Sequence, residues 1–424
     1  MILISGKRQF GVALGIKVGS ASYPGSLTFL ESVDGKRLDD NPTMFREPII
    51  EHRKRHTVLC EVRRERVRIL VDNRRVIDWT GNPNQLSLHS DLKLPQTQVL
   101  GLVSSFSEFV FHEILLIPVT TKNDKGQGAV TLPVAKPPTA NAPFSTDKAK
   151  QHQQAWAEYL GVPVTFENSI GMKFSLIPPG EFHMGGGSES EDEIPGNGNV
   201  RHRVTLTKPY YLGIYETRQR DFQTVAGRNP SKFSPTDGGS LDHPVESVPL
   251  SDIEDFCRKL SSVAGEKDTG RLYRLPTEAE WEHACRAGTI TRFSFGETIT
   301  RAQANLKGTG NEPPAPIGMT TRVGSYPSNA WGLFDMYGNI AEWTSDFKGS
   351  FNRQPVVDPR GPASDAFQVY KGGALDTPTP DPHASSGMRY YGGRGVAGPT
   401  ISFRVVLEVP ADAATRQSQF RASK

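Results

Sequence analysis

Ser169-Ile170-Gly171-Met172-Lys173-Phe174, followed by Ile177-Pro178-Pro179-Gly180-Glu181-Phe182-His183-Met184-Gly185, opens the stretch that decides how this chain is read. A polar loop through Pro195 and His202 leads to Pro209-Tyr210-Tyr211-Leu212-Gly213-Ile214-Tyr215-Glu216, then to Asn229-Pro230-Ser231-Lys232-Phe233 and His243-Pro244-Val245-Glu246. Two helices are expected next. Ser251-Asp252-Ile253-Glu254 has the form of a capping box. Ile253, Phe256, Cys257 and Leu260 then fall at i, i+3, i+4 and i+7, an apolar stripe on one helix face. Thr277-Glu278-Ala279-Glu280 repeats the box behind Pro276, with Trp281, Ala284 and Cys285 on the buried face and Gly288 as the expected left-handed cap. Glu278, Glu280 and Glu282 read as first-turn carboxylates favoured by the helix dipole rather than as catalytic acids. Cys257 and Cys285 lie on packing faces and read as small buried hydrophobes.

Beyond the helices the ordered motifs continue with Ala304-Asn305-Leu306, with Val323 to Leu333, and with Asp335 to Trp343. Lys371-Gly372-Gly373 and Phe403-Arg404-Val405 end the series. Upstream the text differs. Val58, Cys60 and Val62, then Val67, Ile69 and Val71, repeat the two-residue period of half-buried strands. Asp72-Asn73 supplies a turn into Val76-Ile77-Asp78-Trp79, and Val99 to Val103 and Phe109 to Ile114 add further strand text. Several short strands separated by turn signals predict an all-β sandwich over residues 1–119. Residues 120–150, rich in Pro, Ala, Thr and Lys without apolar period, read as a linker. From Ala149 to Leu160 an amphipathic segment places Trp156 and Leu160 at helical spacing. Residues 151–409 form the second domain, and 410–424 a polar tail.

Composition bounds the function classes. At 424 residues, two domains are the default, and 41 glycines with 32 prolines disfavour long uninterrupted helices. The formal charge of +3 is small for this length, and Arg53-Lys54-Arg55 and Arg63-Arg64 sit beside alternating apolar residues, so nucleic-acid binding is not indicated. Three cysteines, Cys60, Cys257 and Cys285, make neither a disulfide framework nor a zinc motif, although a Cys257–Cys285 bridge stays open. No apolar run reaches the roughly 18 residues of a membrane helix. No secretion signal opens the chain, which starts directly on strand-like text, so the natural start is expected upstream of Met1.

Over residues 163–409 the ordered motifs resemble the formylglycine-generating enzyme, or sulfatase-modifying factor, family. That resemblance implies a compact, irregular α+β domain related to C-type lectins. Residues 9–118 resemble, more weakly, the concanavalin-like and laminin-G-like jelly rolls, which implies a β sandwich with a structural, interaction or glycan-binding role.

The family resemblance also names sites. In similar enzymes the Asp335–Glu342 segment binds calcium through the side chain at Asp335, main-chain oxygens at Gly338 and Ile340, and the carboxylate of Glu342. The residues agree, since two carboxylates bracketing a glycine-containing loop can offer the hard oxygens that Ca²⁺ requires. A second family calcium site would start at Asn305 and Leu306 and take Ile317, but Ala315 stands where a carboxylate is expected. After Lys371-Gly372-Gly373 the family's oxidases carry two copper-binding cysteines, and those positions fall near Thr377 and Pro382. Neither supplies the thiolate that a soft copper ion needs, so copper is not expected. Asp376, Asp381 and His383 in that loop match no metal pattern, and Tyr390, Tyr391 and Arg394 are candidates to line a peptide or sugar pocket. The expected function is therefore non-catalytic recognition of a polypeptide or glycan, with calcium holding the Asp335–Glu342 loop. The alternative is a formylglycine-generating oxidoreductase acting on a sulfatase cysteine, or an oxidase that uses other residues.

Overall fold

The computed structural model describes residues 2–5, 8–17, 26–30, 58–63, 66–72, 74–80, 136–187, 193–194, 199–307, 317–378 and 382–410. They divide into two units, Met1–Ala135 and Lys136–Lys424. The first contains β1 (Ile2–Ser5), β2 (Arg8–Lys17), β3 (Ser26–Leu30), β4 (Val58–Arg63), β5 (Arg66–Val71) and β6 (Arg74–Thr80). These form two antiparallel three-stranded sheets, β1-β2-β3 and β4-β5-β6. Val67, Ile69 and Val71 are buried while Arg68 and Leu70 between them are partly open, as the two-residue period predicts. Asp72 turns the chain at φ +49°, a conformation Asp tolerates. The strand text at 99–103 and 109–114, on which the jelly-roll reading also rests, lies outside the described residues.

The second unit contains, in order, α1 (Thr146–Leu160), β7 (Thr165–Glu167), β8 (Lys173–Ile177), β9 (Gly180–Met184), β10 (Glu193–Ile194), β11 (Asn199–Val200), β12 (His202–Leu206) and β13 (Tyr210–Gly213). Then come α2 (Gln219–Ala226), α3 (Leu250–Ser262), α4 (Ala264–Lys267), β14 (Tyr273–Arg274) and α5 (Glu278–Arg286). The last strands are β15 (Ala341–Phe347), β16 (Val356–Val357), β17 (Phe367–Lys371), β18 (Tyr390–Gly393), β19 (Ile401–Ser402) and β20 (Val406–Glu408). Few short helices and many short strands make a mixed α/β unit, as the Gly and Pro content implies.

Two sheets position the site. One runs β14-β20-β13-β8-β7 and the other β18-β17-β15-β19. The chain passes from the second to the first at Phe403-Arg404-Val405, so Arg404 lies where the two sheets meet. One core cluster gathers Trp281, Trp331, Phe182 and Phe293, and the other gathers Trp156, Phe222, Phe256, Trp343 and Phe403. Burying each large apolar side chain contributes roughly 1.5–3 kcal/mol. Phe222 stacks on Phe256 with ring centroids 5.5 Å apart.

The helices depart from the sequence reading at their ends. α3 starts at Leu250 with Pro249 as its cap residue and no side-chain cap, so Ser251 lies inside the helix and closes no box. The apolar stripe Ile253, Phe256, Cys257 and Leu260 is buried as read. In α5 the box forms: Glu280 N donates to Thr277 Oγ1 at 3.1 Å, and Thr277 N to Glu280 Oε2 at 2.8 Å. The left-handed cap is Ala287 at φ +47°, one residue before Gly288, whose own φ is +90°. α1 begins at Thr146, three residues earlier than read, capped by Ser145. Part of the stretch read as linker belongs to this unit: Ala140 is fully buried, and its N–H donates to Pro179 O.

Candidate cation and ligand site

The loop before β15 turns through three residues of positive φ, Asp335, Gly338 and Asn339. Gly338 is required, because a Cβ there would stand 2.5 Å from Asn305 O. Asn339 is fully buried and joins three segments. Its Oδ1 accepts from Thr321 N at 2.8 Å and Asn305 Nδ2 at 3.2 Å, and its Nδ2 donates to Glu216 Oε1 at 3.0 Å. Its main-chain N–H donates to Asn305 O.

The loop so built gathers Glu216, Asp335 and Glu342 with Arg404, all at most 5% exposed. Arg404 clamps Glu342 through Nη2 to Oε1 at 2.6 Å and Nε to Oε2 at 2.7 Å, and Trp281 Nε1 donates to the same Oε2 at 2.7 Å. Asp335 Oδ2 accepts from Gly324 N at 2.6 Å, whereas Asp335 Oδ1 and Glu216 Oε2 take no bond from any N–H or hydroxyl donor, and the two carboxyls bond each other. Burial, together with the neighbouring Asp335 and Glu342 charges, pushes the Glu216 carboxyl well above the usual range. Burial likewise raises Asp335 to about 6, opposed by Gly324 N–H and Arg404. Three carboxylates share one guanidinium here, which leaves two negative charges uncompensated if all are ionised.

Of the sequence-read residues, Asp335, Gly338, Ile340 and Glu342 thus lie in one loop and strand start, buried together. The second set does not gather as closely. Asn305 is buried and its Nδ2 donates to Met319 O at 2.9 Å, Leu306 belongs to the core, and Ile317 is 52% exposed. Residues 308–316, including Glu312 and Ala315, lie outside the described residues. Sequence reasoning missed Glu216, Asn339 and Arg404, although each sits in a quoted motif. The available signal was the Gly338-Asn339 pair, which tolerates left-handed backbone.

At the altered loop, Thr377 Oγ1 accepts from Ala374 N at 2.9 Å and Thr377 N donates back to Ala374 O, closing a turn. Pro382 opens a single 3₁₀ turn to Ala384, and residues 379–381, with Asp381, lie outside the described residues. Asp376 and His383 are exposed. Tyr390 stacks on Tyr370 at 5.4 Å and donates to His383 O, and Arg394 pairs with Glu254 at 2.6 Å. Cys257 and Cys285 are free, buried in different core clusters, and burial pushes both thiols up to about 12.

The helix carboxylates need a correction. Glu278 and Glu280 stand in the first turn as read, and Glu280 also closes the box and pairs with Arg274, whereas Glu282 lies beyond that turn. Glu278 and Glu282 are buried: Arg389 clamps Glu278 at 2.6 and 2.7 Å, and Lys371 Nζ and Arg286 Nε bind Glu282 at 2.8 and 2.9 Å. Glu282 and Arg286 are an i,i+4 pair that helical spacing brings together, but spacing says nothing of which strand packs on the helix, so the pairs with Arg389 and Lys371 were invisible. They anchor the strand that ends in Lys371-Gly372-Gly373.

A cavity of 280 Å³ lies beside the acidic cluster, and Glu216, Tyr215, Lys173, Arg218 and Arg322 are among its lining. Arg218 holds Asp221 through Nε to Oδ2 and Nη2 to Oδ1, both at 2.8 Å. Asp242 pairs with Arg220 at 2.5 Å and Arg322 at 3.4 Å. No helix among the described residues is long and apolar enough to cross a membrane.

Residues 162–409 match the family described as the sulfatase-modifying factor enzyme 1-like domain. A serine/threonine-protein kinase pkn1 of Chlamydia pneumoniae is 28% identical over 55% of this chain and 38% of its own length. The formylglycine-generating enzyme of Bos taurus is 35% identical over 31% of this chain and 35% of its own, and that of Thermomonospora curvata is 27% identical over 50% and 86%. The chain spans little more than a third of the length of the first of these relatives. Among solved structures, Treponema denticola variable protein 1 aligns over 58% of this chain and 100% of its own, with 26% identity and a TM-score of 0.49. Since the family match runs over more than half of the sequence, the chain belongs to the sulfatase-modifying factor enzyme 1-like family.

Proposed function

We propose that the second unit is a non-catalytic recognition module for a polypeptide segment or glycan, with calcium holding the loop from Asp335 to Glu342. The observation that carries this reading is the loop after Gly373. Where the family resemblance expects two thiolates, Thr377 spends its hydroxyl on the turn with Ala374, and Pro382 has no side-chain donor. Copper does not fit that set. Formylglycine-generating enzymes and proteins named as serine/threonine kinases both align with parts of this chain, in keeping with a domain that serves more than one role.

Calcium suits the acidic cluster on different grounds. Asp335 Oδ1 and Glu216 Oε2, which take no bond from any N–H or hydroxyl donor, are hard oxygens, and with all three carboxyls ionised the two surplus negative charges match one divalent ion. Asp335, the main chain at Gly338 and Ile340, and Glu342 would hold it. Glu342 accepts three hydrogen bonds, which leaves one of a carboxylate's about four lone-pair sites. The ion would supply structural cross-linking of the loop. Asn305, Leu306 and Ile317 lack a carboxylate among the described residues and support a second ion less well.

The test is incubation of the full chain with a sulfatase-derived cysteine peptide, copper and oxygen, read by mass spectrometry. An unmodified cysteine is expected. Conversion to the aldehyde would establish the oxidoreductase alternative, which the identity to formylglycine-generating enzymes favours, and end the recognition reading.

A further inference from the structure

We propose that the cavity beside Glu216 binds a neutral, hydroxyl-rich ligand the size of one sugar ring. This inference rests on the recognition reading and names its ligand class. Size sets the first limit: pockets for drug-sized molecules span about 300–1,000 Å³, so 280 Å³ admits a single ring rather than a run of residues.

Charge sets the second. Asp221 and Asp242 in the lining answer Arg218 and Arg322, and Lys173 faces the buried Glu216 carboxyl, so the lining carries at most one surplus charge. Two of those pairs are already closed, Arg218 with Asp221 and Arg322 with Asp242. The closed pairs leave an ionic ligand only exposed Lys173 or buried Glu216 to answer it, and an ammonium group driven against Glu216 would lose its hydration. A hydroxyl loses less and both donates and accepts. It can bond the buried Glu216 carboxyl, whose Oε2 takes no bond from any N–H or hydroxyl donor, while a neighbouring hydroxyl accepts from exposed Lys173. The closed Arg218–Asp221 pair sets donors beside acceptors, an arrangement suited to adjacent hydroxyls on one ring.

An aromatic wall completes the site. Tyr215 packs against Phe334 at 5.3 Å, and Gly324 lies so near that a Cβ would come within 2.7 Å of Tyr215 Cε1. The ring is therefore held in place, and a fixed aromatic surface suits the C–H face of a sugar.

Saturation-transfer NMR on the full chain tests this, using methyl glycosides of glucose, galactose, mannose and N-acetylglucosamine, with alanine and tetra-alanine as comparison probes. At least one glycoside should bind, and Lys173→Ala and Tyr215→Ala should each weaken it about tenfold or more. Lys173 is exposed, so its variant should melt as the parent does and separate loss of binding from loss of folding. Absence of binding by every glycoside, glycoside binding unaffected by both variants, or saturation by alanine or tetra-alanine alone would overturn the assignment. Aldehyde formation on the sulfatase peptide would overturn the recognition reading, whereas loss of sugar binding without aldehyde removes only this cavity's role.

Discussion

Arg404→Met tests whether the junction of the two sheets depends on one buried ion pair. Methionine keeps much of the length and apolar contact but removes the guanidinium. Lost with it are the bonds to Glu342 at 2.6 and 2.7 Å and those to Gly213 O and Phe334 O, each at 3.0 Å. Glu342, 1% exposed, then keeps only the Trp281 donor, and Glu216 and Asp335 lose the cation that faces them. Removing one partner of a buried pair costs about 3–5 kcal/mol. In a unit of this size 1 kcal/mol moves the melting temperature by roughly 2–4 °C, so a fall of roughly 6–20 °C is expected. Adding Glu342→Gln should recover at least about 1 kcal/mol, because an amide replaces the stranded charge. Urea titration followed by circular dichroism at neutral pH measures both. A loss under about 1 kcal/mol, or a double variant no more stable than the single one, would refute the reasoning.

Elemental analysis of the purified chain should find calcium, and a chelator should lower the melting temperature in the parent but not in Asp335→Asn; identical curves with and without chelator would count against the ion. His283 is fully buried, neither ring nitrogen has a partner, and burial lowers its pKa from 6.5 to about 4. Below pH 6.5 the unfolded chain takes up a proton that the folded one refuses, so His283 contributes a downward slope in stability as pH drops from 6.5 towards 4, worth on the order of 3 kcal/mol, against the opposite slope of the raised Asp335 and Asp346 carboxyls. His283→Phe should flatten that slope, measured as urea midpoints against pH. Gly288→Ala should destabilise the second unit by more than 1 kcal/mol, since its Cβ would meet the Phe144 ring at 2.2 Å; an unchanged melt would mean that residues 136–145 do not pack as described. Cys257 and Cys285, with thiols raised to about 12, should resist a thiol reagent until denaturant is added, as peptide mapping would show.

Much of the second unit was legible because its signals are local. The α5 capping box lies within four residues and its buried face follows a fixed period, so Thr277, Glu280 and Trp281 were placed correctly. The α3 cap failed because Ser251 competes with a start one residue upstream at Leu250, which the core buries completely. The Asp335–Glu342 loop was legible as a cluster of oxygen donors on one segment. Its partners were not: Arg404 lies 62 residues beyond Glu342, and Glu216 lies 123 residues before Asn339. The partners of Glu278 and Glu282 were missed on the same account, since Arg389 is 111 residues from the first and Lys371 89 from the second.

By itself the sequence determined the family, the short-element character of the second unit, and the lack of thiol chemistry after Gly373, since each follows from which residues stand in order along the chain. Tertiary structure alone decided that Glu342 is clamped by Arg404, that the buried Glu216 and Asp335 carboxyls meet, and that a polar cavity lies beside them. The physical reason is range. Caps and periods act over a few residues, whereas the charge balance of a buried site depends on strands brought together from distant parts of the chain.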